Sequence, residues 1–300
     1  MNQDLIVAHE IFMTPTAMLA DYVLPGDVFS ERNHIADSWS WTTRLSLSQK
    51  VVDAPEDASG TFQFWVDLAE RMGLGAHFPW DSPEDLLDYR LSPSKRRFTD
   101  FEAGTFMEAP PPEFHKYRKH GFATPTGKVE LSSSILDELG FDPLPYYREG
   151  PTTSEAFPYS VFTGVREDPY FQTGQRNIPS LRKRTPYPSF FLHPVDAERD
   201  GFSNGDWARL ETETGKVVAQ IQIHESMKEG HLRVPHGWWY PELRGNEALA
   251  GAFLSSDAML CPDQDEFLDY EQGIPHFKGF PGRLVKIEEP DEIRGVDYPS

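Results

Sequence analysis

Along this chain the spacing of apolar and polar positions changes character once, near residue 150. Before that point it is mixed. LIVAHEIF, residues 5–12, is a short apolar run of the kind that forms a buried strand. In TPTAMLADYVLP, residues 14–25, Thr14 or Thr16 can cap a short helix with Pro15 in its first turn, and YVLP returns as a strand stub. TFQFWVDLAERMGL, residues 61–74, sets Phe62, Trp65, Val66, Ala69 and Met72 on one helical face, and Gly73 or Gly75 can end it. Ser82-Pro83-Glu84-Asp85 carries a cap, a first-turn proline and an acid, which predicts a helix through LLDYRL. FEAGTFMEAPPPEF, residues 101–114, reads as an extended surface connection. GFATPTGKVEL, residues 121–131, reads as a hairpin turning at Thr124-Pro125-Thr126-Gly127. ILDEL then reads as a helix capped by Ser133 or Ser134 and ended by Gly140. The opening elements fit the tail of an open α/β sheet completed from elsewhere, or a small self-contained subdomain.

Residues 142–158, DPLPYYREGPTTSEAFP, carry four prolines and no periodicity, so they divide the chain near residue 150. Beyond them the period is two. PYSVFTG, SFFLH, WARLET, KVVAQIQI, HLRVPHGWW and RLVKIEE read as strands, with VDAERD as a short helix from Pro194 to Gly201. Tight turns are expected at Ser203-Asn204-Gly205-Asp206, Glu213-Thr214-Gly215 and Lys228-Glu229-Gly230, and residues 240–282 are loop-rich. Strands around one short helix point to a closed barrel, which leaves no free edge.

Composition narrows what such a protein can do. A net charge of −20 argues against a nucleic-acid partner. Mean hydropathy is −0.53, and no apolar run approaches the ~20 residues of a membrane helix. MNQDLIVAHE lacks a basic region followed by an apolar stretch, which favours a cytoplasmic location and leaves export on a partner's signal as the alternative. With one cysteine, Cys261, neither an iron–sulfur cluster nor a multi-cysteine zinc site is expected, and the lone thiol reads as structural. The acidic run at residues 262–272 does not have calcium-loop spacing.

Against that acidic background the stretch 163–184, TGVREDPYFQTGQRNIPSLRKR, concentrates Arg166, Arg176, Arg182, Lys183 and Arg184 with Gln172, Thr173, Gln175, Gly164 and Gly174. Glycines admit a ligand to the backbone and guanidinium forks match phosphate oxygens. The two readings are an anion site and a solvated basic loop. His193, at a helix start, reads as structural or as a ligand contact, and HGWW at 236–239 as core or interface.

At this point the motifs, in order, resemble the C-terminal part of molybdopterin oxidoreductases of the dimethyl-sulfoxide-reductase type. TPTAMLADYVLP followed by Glu31 is similar to that family's T-x-T-A-x-x-A-D-V-V-L-P stretch, and GFATPTGKVEL to its G-F-x-T-P-S-G-K-V-E-L hairpin, with DPLPYY following. TGVREDPYFQTGQRNIPSLR and HPVDAERDGFSNGDWARLETETGKV are similar to the first two motifs of its cofactor-binding barrel.

The resemblance implies a fold class. Residues 1–150 are the mixed α/β remnant of the preceding region, and residues 151–300 an all-β double-psi β-barrel (aspartate-decarboxylase-like) that binds molybdopterin guanine dinucleotide, carrying molybdenum or tungsten. Thr163, Gly164, Val165 and Arg166 fall on its cofactor turn, Tyr170, Phe171, Gln172 and Thr173 on the continuation, His193 on the second motif, and Lys278 on a lysine near the pterin. Arg176 joins them from the basic loop. Gln172 stands where a histidine is common, and Ala258 where an asparagine is usual.

No catalytic or metal-ligating residue is assigned to this chain. The resemblance implies a partner, the N-terminal portion with the iron–sulfur motif and metal ligand, on a separate or truncated polypeptide. A small-molecule substrate, no nucleic acid and no direct membrane span are expected. The leading expectation is part of an oxidoreductase, inactive alone. The alternatives are a non-catalytic cofactor-binding module and a non-redox, hydratase-like member.

Overall fold

The computed structural model describes residues 3–37, 44–101, 106–108, 113–147, 149–243, 249–262, 264, 267–269, 273–275 and 277–294. By contacts the chain forms two units, Met1–Phe12 with Ala20–Glu130, and Met13–Leu19 with Leu131–Ser300.

In the first unit β1 (Val7–Glu10) and β2 (Tyr22–Pro25) form a parallel pair, Val7 opposite Tyr22 and Glu10 opposite Pro25. Between them in sequence lies α1 (Pro15–Met18), where Thr14 accepts from the Ala17 N–H as the expected cap. A three-stranded antiparallel sheet, which periodicity did not flag, joins β3 (His34–Asp37), β4 (Arg44–Ser48) and β5 (Phe106–Glu108). Its side chains meet Leu91 and Phe101 in a small core around Leu47. The stretch 101–114 was expected to be extended surface chain, and part of it is β5; residues 102–105 and 109–112 lie outside the described residues.

Helix α2 (Thr61–Arg71) forms where expected, but its buried face differs: Ala69 is buried, whereas Trp65 is 51% and Met72 64% exposed. Phe64 instead stacks on His9 at 5.2 Å between ring centroids. In α3 (Pro83–Leu91), Ser82 accepts from the Asp85 N–H and donates to its carboxylate, as the capping pattern requires. α4 spans Tyr117–His120. The hairpin expected at 121–131 is only a turn. Gly127 N–H donates to Thr124 C=O, yet no strands flank it. Val129 and Leu131 are exposed, and an isolated pair of strands is marginal in water.

The second unit, which also takes in α1, continues with α5 (Ser134–Glu138), capped by Ser133. Six strands then close a barrel: β6 (Tyr159–Val165), β7 (Ser189–Leu192), β8 (Trp207–Glu211), β9 (Lys216–Ile223), β10 (His231–Pro235) and, last in the chain, β13 (Lys278–Lys286). Around it the order is β10-β6-β13-β8-β9-β7. Short helices α6 (Pro179–Arg182), α7 (Pro194–Asp200) and α8 (Ala252–Ser255) lie in the connections, and β11 (Leu268–Asp269) pairs with β12 (Ile274–Pro275).

Alternation drives the closure. Tyr159, Val161 and Thr163 of β6 point inward with Phe190 and Leu192 of β7, Leu210 of β8, Ile221 of β9, and Leu232 and Val234 of β10. β13 approaches so closely that a Cβ on Gly282 would lie 2.6 Å from a Val161 methyl, so only glycine fits. Asp196 of α7, buried, accepts from the Gly230 N–H at 2.7 Å and pairs with Arg199 at 2.9 Å, fastening the helix to the turn before β10.

Leu210 is fully buried in this core. Leu210→Ala is expected to destabilise the chain by about 2–5 kcal/mol, read as a lower urea midpoint of unfolding.

Candidate functional site

Gly164, the penultimate residue of strand β6, has φ +73°, a left-handed conformation that glycine adopts without strain. A Cβ there would meet nothing within 4 Å, so this face of the turn is open. The Thr163 hydroxyl beneath it is buried and donates to the Phe277 carbonyl at 2.8 Å, leading directly to Lys278. In the ladder Lys278 lies opposite Phe162, so it shares the barrel end of Thr163–Arg166 and is exposed there.

The loop after β6 has a buried and an exposed layer. Arg176 is 1% exposed; its guanidinium donates to the carbonyls of Gln172 and His236, each at 2.9 Å, and lies over Tyr170 and Trp238. Burial pulls its pKa down to about 10. Tyr170 is buried and donates to Thr185 C=O, and Arg182, also buried, forms a two-bond pair with Glu242 at 2.9 and 3.1 Å. Trp239 Nε1 donates to Thr173 C=O at 2.7 Å. Gly237 leaves room for the loop, because a Cβ there would lie 2.3 Å from the Thr173 methyl.

Outside this layer Arg166 is exposed and stacks over the exposed Phe171 ring at 4.7 Å. With its amide turned so that oxygen faces Arg166, Gln172 accepts from Nε and Nη2 at 3.3 Å. Gln172 and Gln175 hold φ of +54° and +70°, strained for non-glycine residues, so packing and bonds must impose the loop's shape.

One buried carboxylate ties the pieces together. Asp257 is 3% exposed and accepts from the N–H of Gly164 at 2.9 Å, the N–H of Gly237 at 2.7 Å and His236 Nδ1 at 3.1 Å. Burial alone would push its carboxyl up, but the hydrogen bonds from His236, Gly237 and Gly164 together hold it below the usual range. The same bond raises His236 against the effect of its own burial. Val165 C=O accepts from the His236 N–H at 2.9 Å.

The expected residues therefore separate. Gly164, Arg166, Phe171, Thr173 and Lys278 are exposed at one barrel end, with Val165 and Gln172 half-buried beside them. Thr163, Tyr170 and Arg176 lie underneath, the two hydroxyls and both Nη groups of Arg176 donating to protein carbonyls. His193 is elsewhere. Leu192 pairs with Leu232, which pairs with Val161, so His193 follows at the far end of the barrel, where its Nδ1 accepts from Val195 N–H as the cap of α7. Sequence reasoning missed Asp257 and His236; the only signal was that Asp257 precedes Ala258, a position already marked as unusual.

Comparison with known proteins bears on this end of the barrel. Residues 161–264 match the molydopterin dinucleotide binding domain. The chain is similar to acetylene hydratase of Syntrophotalea acetylenica, with 40% identity over 295 residues, 95% of this chain and 40% of that protein. It is similar to dopamine dehydroxylase of Eggerthella lenta, with 33% identity over 136 residues, 42% of this chain and 13% of that protein. The molybdopterin-containing subunit of thiosulfate reductase from Salmonella typhimurium is 26% identical over 264 residues, 78% of this chain and 34% of that one. Among solved structures, acetylene hydratase from Pelobacter acetylenicus matches with a TM-score of 0.88 at 39% identity, covering 95% of this chain and 41% of that one. The chain thus spans well under half the length of these relatives.

Glu167, buried at the root of the loop, has its pKa pushed up to about 7 by burial, with Arg233 and Arg176 pulling it back. The folded state favours its protonated form, so this group's contribution is intact below the ordinary 4.5 and is lost as pH rises through about 7. Glu167→Gln is expected to flatten that fall and to gain up to about 3 kcal/mol on the alkaline side, measured by urea unfolding across pH.

Proposed function

From a chain that belongs, as a C-terminal portion, to the molybdopterin oxidoreductases of the dimethyl-sulfoxide-reductase type, we infer that the loop end of the barrel binds molybdopterin guanine dinucleotide. The carrying observation is the match over residues 161–264, which contain the Gly164 turn, the basic loop and Asp257. The residues fit such a ligand. An open glycine face, the exposed Arg166 and the exposed Lys278 offer close approach and positive charge to a diphosphate.

In this reading Arg166 and Lys278 contact the cofactor, with Val165, Phe171, Gln172 and Thr173 lining the approach. Thr163, Tyr170 and Arg176 are positioning residues that hold the loop, and His193 serves as a helix cap. The barrel is of the double-psi, aspartate-decarboxylase-like type, and the dividing line near residue 150 separates it from the end of an α/β region. When bound, the cofactor's molybdenum or tungsten supplies the reaction chemistry. The chain's own residues bind, orient and help to exclude water.

An N-terminal portion completes the active site. Supporting this, β1 and β2 form a two-stranded parallel sheet with Val7 and Tyr22 exposed, whereas parallel sheets are ordinarily covered on both faces. For the whole enzyme, the similarity to acetylene hydratase along 95% of this chain favours a hydratase-like reaction over the redox one expected from sequence. A reductase or dehydroxylase is the second reading, supported by the lower-identity relatives. Among the described residues no helix is long and apolar enough to cross a membrane.

Two outcomes test the proposal. Purified with its N-terminal portion from a host that makes the cofactor, the complex should yield guanine nucleotide, pterin and molybdenum or tungsten, while the chain alone shows no turnover. A complex without pterin or either metal defeats the cofactor assignment, and product formation without electron donor or acceptor separates hydration from redox chemistry. Arg166→Ala should lower cofactor retention about tenfold or more while the thermal midpoint stays near wild type.

A further inference from the structure

His236 stands where the loop, β10 and the Asp257 turn meet. Its Nδ1 faces Asp257 Oδ2, the same oxygen that accepts from the Gly164 N–H, so the ring and Gly164 share one buried anchor at this barrel end. The buried carboxylate fixes the tautomer with the proton on Nδ1, and this leaves Nε2 on the far side of the ring. Among the described residues Nε2 makes no hydrogen bond, and the side chain is 36% exposed.

The backbone on both sides of the ring is already committed. Its N–H goes to Val165 and its carbonyl accepts from Arg176. Position and orientation are therefore set by β6, the loop and Asp257 together, while one nitrogen remains for a ligand. We propose that His236 is a binding residue for a phosphate oxyanion of the ligand at this barrel end, donating from Nε2 as the imidazolium while Asp257 holds the ring through Nδ1. This rests on the reading that an anionic dinucleotide occupies the site. A ring that served only as a strut would make the same bond to Asp257, so the test must read Nε2.

The groups around the ring set its behaviour with pH. Asp257 favours the imidazolium and Arg176 opposes it. Glu167, Arg166 and Arg233 belong to the same loop root, Arg233 Nη2 donating to Arg166 C=O, and Lys278 and Cys261 flank Thr163. Glu167 changes charge near neutrality, at about 7. An imidazolium donates from both nitrogens, so affinity for phosphate should fall as pH rises through the raised value of His236.

The experiment is calorimetric titration of the full chain with GDP, with guanosine as the phosphate-free control, in the Glu167→Gln background at about pH 6 and about pH 8. His236→Gln should weaken GDP binding about tenfold or more at the lower pH, remove the pH dependence and leave guanosine unaffected. Equal GDP affinity and an unchanged pH profile in the variant overturn the role of His236 while leaving the cofactor site standing. No GDP binding by the parent chain overturns both. Because the variant can lose the Asp257 strut, the parent chain gives an independent readout. Saturating GDP should raise the His236 titration midpoint in imidazole NMR, and an unmoved midpoint overturns the proposal.

Discussion

Asp257 is the point on which the loop end of the barrel depends. A carboxylate taken out of water is costly unless donors surround it. Here the donors come from the last turn of β6, from Gly237 after β10 and from the His236 ring. They can satisfy one carboxyl only when both strands end at the same level. The parallel pairing of β6 with β10 brings them there, and the carboxylate then holds the exits of both strands in one arrangement.

That arrangement lets an acidic chain present a cationic surface. At −20 the whole molecule repels an anion at long range, and salt screens that field within about 10 Å. Local geometry therefore decides binding. The basic residues divide into two roles. Arg176 and Arg182 are buried against Tyr170, Trp238 and Tyr240 and shape the loop. Arg166 and Lys278 remain outside it with their charge exposed. The strained φ values at Gln172 and Gln175 show that the buried layer, rather than local preference, dictates the loop's path.

Much of the fold could be read directly. The switch from mixed spacing to a period of two placed the six barrel strands, and cap chemistry placed α1, α3, α5 and α7. Two elements could not be read. β3 and β4 are short strands whose alternation is brief, and β5, which pairs with β4, is more than fifty residues away, so the sheet depends on tertiary pairing. The turn at Thr124–Gly127 carries a strong local signal but gains no strands, and its flanking Val129 and Leu131 are exposed.

For the candidate site, sequence by itself determined the chemistry available: a glycine turn, a run of basic and amide side chains, a distant lysine, and motifs resembling a cofactor-binding barrel. It did not determine which basic groups face outward. Arg166 and Arg176 look alike in a string of letters, yet one is exposed and the other buried beneath it. Nor did it place His193 at the far barrel end or bring Asp257 and His236 to Gly164. Strand register and the burial of one charge decide those things, and both depend on contacts between residues far apart in sequence.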